Sequence, residues 1–322
     1  MGLTMKTNDA AGKSVLDAEA AFKIKDADSY NAVVDYFDRY TERFTRHLPA
    51  PMLELAHVPV NGRVLDVGTG TGVVALNIVD AIGQKGRVVG IDLSDGMLET
   101  AAEKARQRAL QERVEFIKMD AEKLEFADSS FDACLSLYAL RHFPNPDKSV
   151  AEIYRVLKPG AHIVAAVGSS PTLLSGAGLQ AAMRRLASAW RKLLGRELSA
   201  CEFIDSLVEK MIPQGKDREI AEWVGEHHGF SGSIEQLVRD AGFTEVKTSW
   251  RGQYSIIESA EDFWLLQMTF SSLARKRIAA ADTEVVSQLR AEFDRRCEQV
   301  LRKNGRLVYQ TGAAIVSGKK PV

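Results

Sequence analysis

The sequence predicts an α/β fold in which helices cover both faces of a mostly parallel sheet. Three observations predict it. Strand-like runs alternate with amphipathic helical segments between residues 62 and 168, the first run ends in glycines, and strand-like runs return near the end of the chain. Such alternation is typical of parallel strands joined by helices. The 322 residues, 45% of them hydrophobic, suffice for one large core or two smaller ones.

Helices are predicted before the alternation begins. Residues 1–14 are polar and are expected to form a loose tail. Residues 30–45 carry apolar side chains at helical spacing, which predicts an amphipathic helix, and a second helix is predicted over 50–57. We therefore interpret residues 1–59 as an N-terminal tail and helices that contribute to a cap.

The alternating segment, 60–168, is interpreted as the α/β core. Its predicted strands cover 63–68, 87–92, 114–118, 131–138 and 161–167, and its predicted helices cover 71–83, 94–110 and 146–157. The last helix is followed by Lys158-Pro159-Gly160, which is a helix stop signal.

The alternation breaks after Gly168. Residues 169–231 are rich in helical patterns and are interpreted as a helical cap insertion. Residues 232–322 are expected to complete the sheet with strands over 243–256 and 306–320, and to carry a second helical insertion at about 259–303. The sequence thus predicts seven strands.

Composition excludes several classes of function. The chain has 42 Lys and Arg against 43 Asp and Glu, so no overall positive field favours a nucleic acid. The cysteines, Cys134, Cys201 and Cys297, are odd in number and form no CxxC pair, which argues against a disulfide framework and against a metal site. No apolar leader or membrane-spanning run is evident, so we expect a cytoplasmic protein with a small-molecule substrate.

The glycines after the first strand form the clearest motif, Val64-Leu65-Asp66-Val67-Gly68-Thr69-Gly70-Thr71-Gly72. Its G-x-G-x-G spacing differs from the dinucleotide fingerprint and lacks the lysine of a P-loop. Asp92 ends the second strand 20 residues after Gly72, where a carboxylate can accept hydrogen bonds from both hydroxyls of a ribose. The pattern predicts a nucleotide-like ligand at the carboxyl ends of the strands.

These residues, with VVGIDLSDGML, MDAEKLEFADSSFD and LYALRHFPNPDKSVAEIYRVLKPG in this order, resemble the class I S-adenosylmethionine (SAM)-dependent methyltransferases. The ubiquinone/menaquinone C-methyltransferase-like branch (methyltransferase type 11) is the most similar. The resemblance implies a Rossmann-like sheet with an antiparallel last strand and helical cap insertions. It also implies SAM as cofactor and S-adenosylhomocysteine as product.

The resemblance further assigns ten residues to the cofactor, all in or just after strands one to four. The methionine part would be held by Asp66 and the backbone of Gly68, Thr69 and Gly70. The ribose would be held by Asp92, and the adenine would be flanked by Leu93 and Met97 and contacted by Asp120 and Ala121. The sulfonium would lie above Leu137, at a position where the branch often has a small polar residue.

The acceptor side of the site is predicted from less specific signals. His142 follows strand four, where its ordinary pKa near 6.5 suits a general base; the alternative is that it only packs in the loop. The residues assigned to the substrate pocket are Tyr30, Tyr40, Tyr138, Arg141, His227 and Trp264. For the aromatic residues, core packing alone remains the alternative.

The predicted function is methyl transfer by in-line displacement to a small, apolar or aromatic metabolite, on oxygen or carbon. The alternative is a SAM-binding protein that transfers no methyl group, such as a regulator or a cyclase-like protein. Residues 181–197 form a basic amphipathic segment, which leaves peripheral contact with an anionic membrane open beside a simple solvated face. A homodimer also remains open.

Overall fold

The computed structural model describes residues 7–169, 176–212 and 233–322. Its sheet has the strand order β3-β2-β1-β4-β5-β8-β6, and β7 pairs with β8. The strands are β1 (Arg63–Val67), β2 (Arg87–Asp92), β3 (Val114–Lys118), β4 (Phe131–Leu137), β5 (Leu157–Gly168), β6 (Glu197–Ser199), β7 (Thr244–Ile257) and β8 (Arg306–Lys319). Strands β1 to β5 are parallel, whereas β8 runs antiparallel to β5 and to β7. The predicted mostly parallel α/β fold is confirmed.

The helices cover the sheet and its carboxyl edge. They are α1 (Thr7–Asn31), α2 (Val34–Thr45), α3 (Pro49–Ala56), α4 (Val73–Ile78), α5 (Asp95–Gln107), α6 (Pro146–Val156), α7 (Gly176–Leu193), α8 (Glu202–Met211), α9 (Ile234–Asp240), α10 (Ala260–Phe270), α11 (Ser272–Ala279) and α12 (Thr283–Arg302). A short 3₁₀ helix, Leu140–His142, follows β4.

Two parts of the structure differ from the sequence prediction. Residues 7–14, predicted to be a loose tail, lie in α1, whose alanine-rich sequence favours helix and whose C-terminal end packs on α5. Among the described residues the sheet has eight strands rather than seven, because residues 197–199 inside the predicted helical insertion pair with the start of β8. Neither the docking of α1 nor a three-residue strand leaves a periodic sequence signal.

Most of the apolar core lies on the two faces of the sheet. A third cluster, here called the roof cluster, joins α2, α10, α12 and β8 through Tyr40, Phe44, Phe263, Phe293 and Tyr309. The ring centres of Phe44 and Tyr309 are 4.9 Å apart, and those of Phe263 and Phe293 are 5.9 Å apart. Burying each such ring stabilises the fold by about 1.5–3 kcal/mol. Helix α2 and the second helical insertion therefore pack together in one cluster.

Helix α7 carries an apolar stripe that the rest of the described chain leaves open. Leu186 is 74% exposed and Trp190 is 63% exposed, while Arg191 and Lys192 are paired with Glu197 and Glu202 at 2.5 Å. Contact of this helix with a membrane surface stays a prediction. None of the helices in the described ranges has the length and apolarity needed to cross a bilayer.

Candidate functional site

A cavity of about 420 Å³ lies at the carboxyl ends of β1, β2 and β4. Its floor is made by the glycine loop, by the turn after Asp92 and by residues 119–122. Its other walls come from α1, α2, the 3₁₀ helix and the end of α10. Ligands of open α/β sheets bind at this edge. The cavity is therefore the candidate site.

The glycine loop turns sharply into this cavity. Gly68, Gly70 and Gly72 have φ angles of +69°, +53° and +80°, a region that side chains rarely adopt. A Cβ atom on Gly68 would lie 2.2 Å from the Cβ of Ala139. Only glycine fits there, so the backbone comes unusually close to the loop that follows β4.

Asp66 lies under the loop and is fully buried. Its Oδ2 accepts hydrogen bonds from Thr69 Oγ1 at 2.7 Å and from the Ala75 amide at 3.2 Å. Its Oδ1 has no partner. Burial raises the pKa of Asp66 to about 7, and the nearby Asp92 carboxylate adds to this rise. An unpartnered buried oxygen of this kind suits a cationic group of a ligand.

Asp92 is held at the end of β2 by the loops around it. Its Oδ2 accepts from the Gly70 amide at 2.9 Å and its Oδ1 accepts from the Ser94 amide at 3.0 Å. Burial raises the pKa of Asp92, against the opposing effect of these hydrogen bonds. Each oxygen retains acceptor capacity, so this carboxylate suits a pair of hydroxyls.

The structure places nine of the ten predicted cofactor residues in the lining of one cavity, and the tenth, Asp66, lies beneath the glycine loop. Those not yet described are Leu93, Met97, Asp120, Ala121 and Leu137, all in its lining. The Met97 side chain is 2% exposed. The lining at Leu93, Met97, Ala121 and Leu137 is apolar and fits a flat ring. Their individual roles stay predictions.

Asp120 has a partner that the sequence analysis missed. Its Oδ2 lies 2.7 Å from Nζ of Lys23, which lies 2.8 Å from an oxygen of Glu122. Its Oδ1 accepts from the Glu122 amide at 2.9 Å. Lys23 is 97 residues away in the sequence and reaches Asp120 only because α1 packs across the cavity. No sequence motif marks such a contact.

His142 faces the cavity beside Tyr30. The Tyr30 hydroxyl is 3.5 Å from His142 Nδ1, and the ring centres are 6.0 Å apart. Although the imidazole is exposed to the cavity, the surrounding protein atoms lower its pKa by desolvation. Burial raises the pKa of Tyr30 to about 12. At neutral pH the pair is therefore a neutral imidazole beside a protonated phenol.

The other predicted pocket residues are divided between the cavity and the core. Tyr138, whose φ is +59°, and Arg141 line the cavity. Tyr40 and Trp264 do not. Tyr40 is 1% exposed in the roof cluster and donates to Asp262 at 2.8 Å. Trp264 packs edge-on against Phe293, with ring centres 5.0 Å apart. Both side chains serve packing, because α2 turns Tyr40 and α10 turns Trp264 away from the cavity.

His227 lies outside the described residues. The cavity-wall residues that the sequence analysis missed include Lys23, Thr269, Tyr309 and Thr311. Tyr309 and Thr311 on β8 are two positions apart, so their side chains lie on the same face of the strand. The alternation of side chains along a strand predicts this shared face, but it does not predict that the face borders the cavity.

Within the described ranges, no group of three or more His, Cys, Asp or Glu side chains is arranged to hold a metal ion.

Comparisons with known proteins agree with this geometry. Residues 64–160 match the family model described as "Methyltransferase domain". The chain is 32% identical over 155 residues to demethylmenaquinone methyltransferase of Bacteroides fragilis, and this match covers 48% of the chain and 62% of that protein. It is 30% identical over 211 residues to the ubiquinone/menaquinone biosynthesis C-methyltransferase UbiE of Pseudomonas putida, covering 65% of the chain and 72% of that protein.

The match to UbiE of Pseudomonas putida decides the family. This chain belongs to the class I SAM-dependent methyltransferases related to UbiE. The predicted family is thus confirmed, and with it the SAM dependence that defines the family. The match to the Bacteroides protein spans less than two thirds of that protein, so the activity of the whole chain is treated below as a proposal.

A solved structure shows the same fold. Phosphoethanolamine N-methyltransferase 2 of Haemonchus contortus, in complex with phosphomonomethylethanolamine and S-adenosylhomocysteine, superposes with a TM-score of 0.50 at 16% sequence identity. The match covers 91% of this chain and 58% of that chain. At this identity the similarity concerns the fold alone.

Proposed function

We propose that this chain binds SAM in the cavity at the sheet edge and transfers its methyl group to a small apolar or aromatic metabolite. The observation that carries the proposal is the floor of the cavity. The buried carboxylate of Asp66 and the half-buried carboxylate of Asp92 lie under and beside a glycine loop that leaves room for a ligand against the backbone. The family supports SAM as the ligand.

The residues fit the parts of SAM one by one. The unpartnered Oδ1 of Asp66 and the amides of the glycine loop suit the charged methionine end. Asp92 suits the ribose hydroxyls. The apolar lining that includes Leu93 and Met97 suits the adenine ring. These assignments match those that the family resemblance implies.

Bound SAM supplies a methyl group on a positively charged sulfur, which is already electrophilic. The protein then has to orient the acceptor, exclude water and, for a hydroxyl or a ring carbon, remove a proton. His142 is the proposed base, because it is neutral at pH 7 and faces the cavity. Tyr138 and Arg141 are proposed to line the acceptor pocket. A cytoplasmic location and a homodimer stay predictions.

The proposal is tested by methyl transfer from labelled SAM to an extract of small metabolites. We expect label in at least one small organic product, and none with the Gly68→Ala variant. Tight SAM binding without label in any acceptor would contradict methyl transfer and support the non-transferring alternative. Absence of SAM binding would contradict the proposal as a whole.

Replacement of His142 by alanine is expected to lower kcat by about 10²–10⁴-fold, the usual contribution of a positioned base. SAM affinity is expected to stay unchanged, because the ring lies on the acceptor side. Since desolvation lowers the pKa of His142, the wild-type rate should rise with pH through a value below 6.5. Steady-state kinetics and calorimetry measure both effects. His47→Ala, an exposed histidine outside the cavity, is the control, and equal turnover in both variants would exclude His142 as the base.

Asp66 is expected to impose a pH dependence on the stability of the ligand-free protein. Its folded-state pKa of about 7 lies above the ordinary value of 3.8, so the folded state binds the proton more tightly. Its contribution therefore falls as pH rises from about 4 to 7, by up to about 1.4 kcal/mol per pH unit, and is constant above pH 7. Asp66→Asn removes this slope.

Urea unfolding of the wild type and of Asp66→Asn between pH 4.5 and 8 measures the difference. Asp80→Asn is the control, since the Asp80 side chain is 76% exposed. Parallel pH profiles for the wild type and Asp66→Asn would show that Asp66 does not titrate in this range.

A further inference from the structure

Arg275, at the start of α11, is a buried cation whose hydrogen bonds are incomplete. The residue is 6% exposed. Its Nη1 donates to the carbonyl oxygens of Met268 at 3.0 Å and Thr269 at 2.6 Å. Its Nε and Nη2 have no partner. Buried guanidinium groups are normally paired, so two unused donors on one such group call for an explanation.

Arg275 lies directly behind the acceptor side of the cavity wall. Its guanidinium carbon is 4.5 Å from the centre of the Tyr30 ring. Tyr30 and Thr269 both line the cavity. The positive charge of Arg275 also opposes protonation of His142 and favours ionisation of Tyr30. The guanidinium thus acts electrostatically on the proposed base and its neighbour.

No acidic side chain of the described residues neutralises Arg275. The nearby carboxylate of Asp26 is paired with Lys276 at 2.6 Å. Arg141 adds a cation in the cavity wall itself, and no described residue pairs with it. The cofactor side, in contrast, carries the carboxylates of Asp66 and Asp92. The cavity is therefore acidic where the sulfonium is proposed to bind and basic on the opposite side.

We infer that the methyl acceptor carries a carboxylate, and that Nε and Nη2 of Arg275 bind it. This inference rests on the proposed function and specifies its substrate class. The planar guanidinium offers two parallel N–H groups, which is the geometry that a carboxylate accepts.

The two free donors have no exposed surface in the structure. The guanidinium lies behind Tyr30, which lines the cavity, so the inferred contact requires Tyr30 to move aside before an acceptor reaches the in-plane N–H groups. Binding of the acceptor is therefore coupled to a movement of Tyr30, beside His142. Arg275 is a specificity-determining residue in this arrangement.

The test measures binding to protein saturated with S-adenosylhomocysteine, by calorimetry at pH 7.5. The probes are benzoate, 2-naphthoate and octanoate, each compared with its primary amide. The quantity of interest is the ratio of the amide Kd to the carboxylate Kd. We expect the wild type to favour at least one carboxylate by tenfold or more, and Arg275→Gln to lower this ratio to near one.

Two further variants distinguish the effect of the positive charge at position 275 from the effect of the planar guanidinium, and from a general disturbance of the helix. Arg275→Lys keeps the charge without the planar fork and is expected to give an intermediate ratio. Arg277→Gln, on the same helix and outside the cavity lining, is expected to keep the wild-type ratio. If Arg275→Gln does not fold, as judged by thermal unfolding, the wild type and Arg275→Lys decide the question.

The inference is overturned if the wild type favours no carboxylate over its amide, or if Arg275→Gln keeps the preference. Both outcomes leave binding of S-adenosylhomocysteine intact. Loss of that binding in the wild type would instead contradict the proposed function, so the two failures are distinguishable.

Discussion

Gly68→Ala is expected to abolish SAM binding and to destabilise the protein strongly. The left-handed backbone at φ +69° costs a non-glycine residue about 1–2 kcal/mol. The added methyl group would also meet the Cβ of Ala139 at 2.2 Å, and overpacking of this kind costs about 1–3 kcal/mol. Relief requires the glycine loop or the loop after β4 to move, and both border the cofactor side of the cavity.

Two other glycines make this prediction specific. Gly70 also has a positive φ, but a Cβ there has no neighbour closer than 3.8 Å. Gly70→Ala is therefore expected to show the backbone cost without the clash. Gly168→Ala is expected to show neither the backbone cost nor the clash, because Gly168 has no positive φ and nothing lies within 4 Å of its Cβ position. Urea unfolding and SAM calorimetry should show the largest loss of stability and SAM affinity for Gly68→Ala, a smaller loss for Gly70→Ala and the smallest for Gly168→Ala. A Gly68→Ala protein that binds SAM normally would contradict the proposed cofactor site.

Asp92→Ala is expected to weaken SAM binding by about 1–3 kcal/mol, because charge-assisted hydrogen bonds to the ribose are lost. This corresponds to a Kd roughly 5- to 150-fold higher. Part of the effect comes from the glycine loop, since the Gly70 amide loses its acceptor on Asp92. Asp92→Asn keeps an acceptor oxygen and should show a smaller loss.

Asp95→Ala is the matched control for this measurement. Asp95 lies three positions further along the chain, at the start of α5, and pairs with Lys118 at 2.6 Å, and its side chain is 60% exposed. Its removal should leave the SAM affinity unchanged. Calorimetry that gives the same Kd for Asp92→Ala as for the wild type would exclude the ribose role.

The cofactor side of the site was predictable because its signals are local. The G-x-G-x-G spacing requires a tight turn directly after a buried strand, and Asp92 ends the neighbouring strand. Since adjacent parallel strands end at the same edge, the two motifs had to meet. The structure joins them by the hydrogen bond from Gly70 to Asp92.

The acceptor side was predicted less well, because it is built from distant segments. Tyr40 and Trp264 carry the same aromatic signal as Tyr30, yet they lie in the roof cluster. Which ring of an amphipathic helix faces a cavity depends on how that helix docks, and helical periodicity does not contain this information. Arg275 and Lys23 reach the site for the same reason, through the packing of α11 and α1.

The amino-acid sequence by itself determined the fold class, the family and the position of the glycine loop. These features depend on strand alternation and glycine turns, which are local patterns of a few neighbouring residues. The tertiary structure alone decided which side chains from distant segments lie at or behind the wall of the proposed acceptor pocket. Those side chains come from α1, α10, α11 and β8, and only the burial of their shared apolar surface brings these elements together.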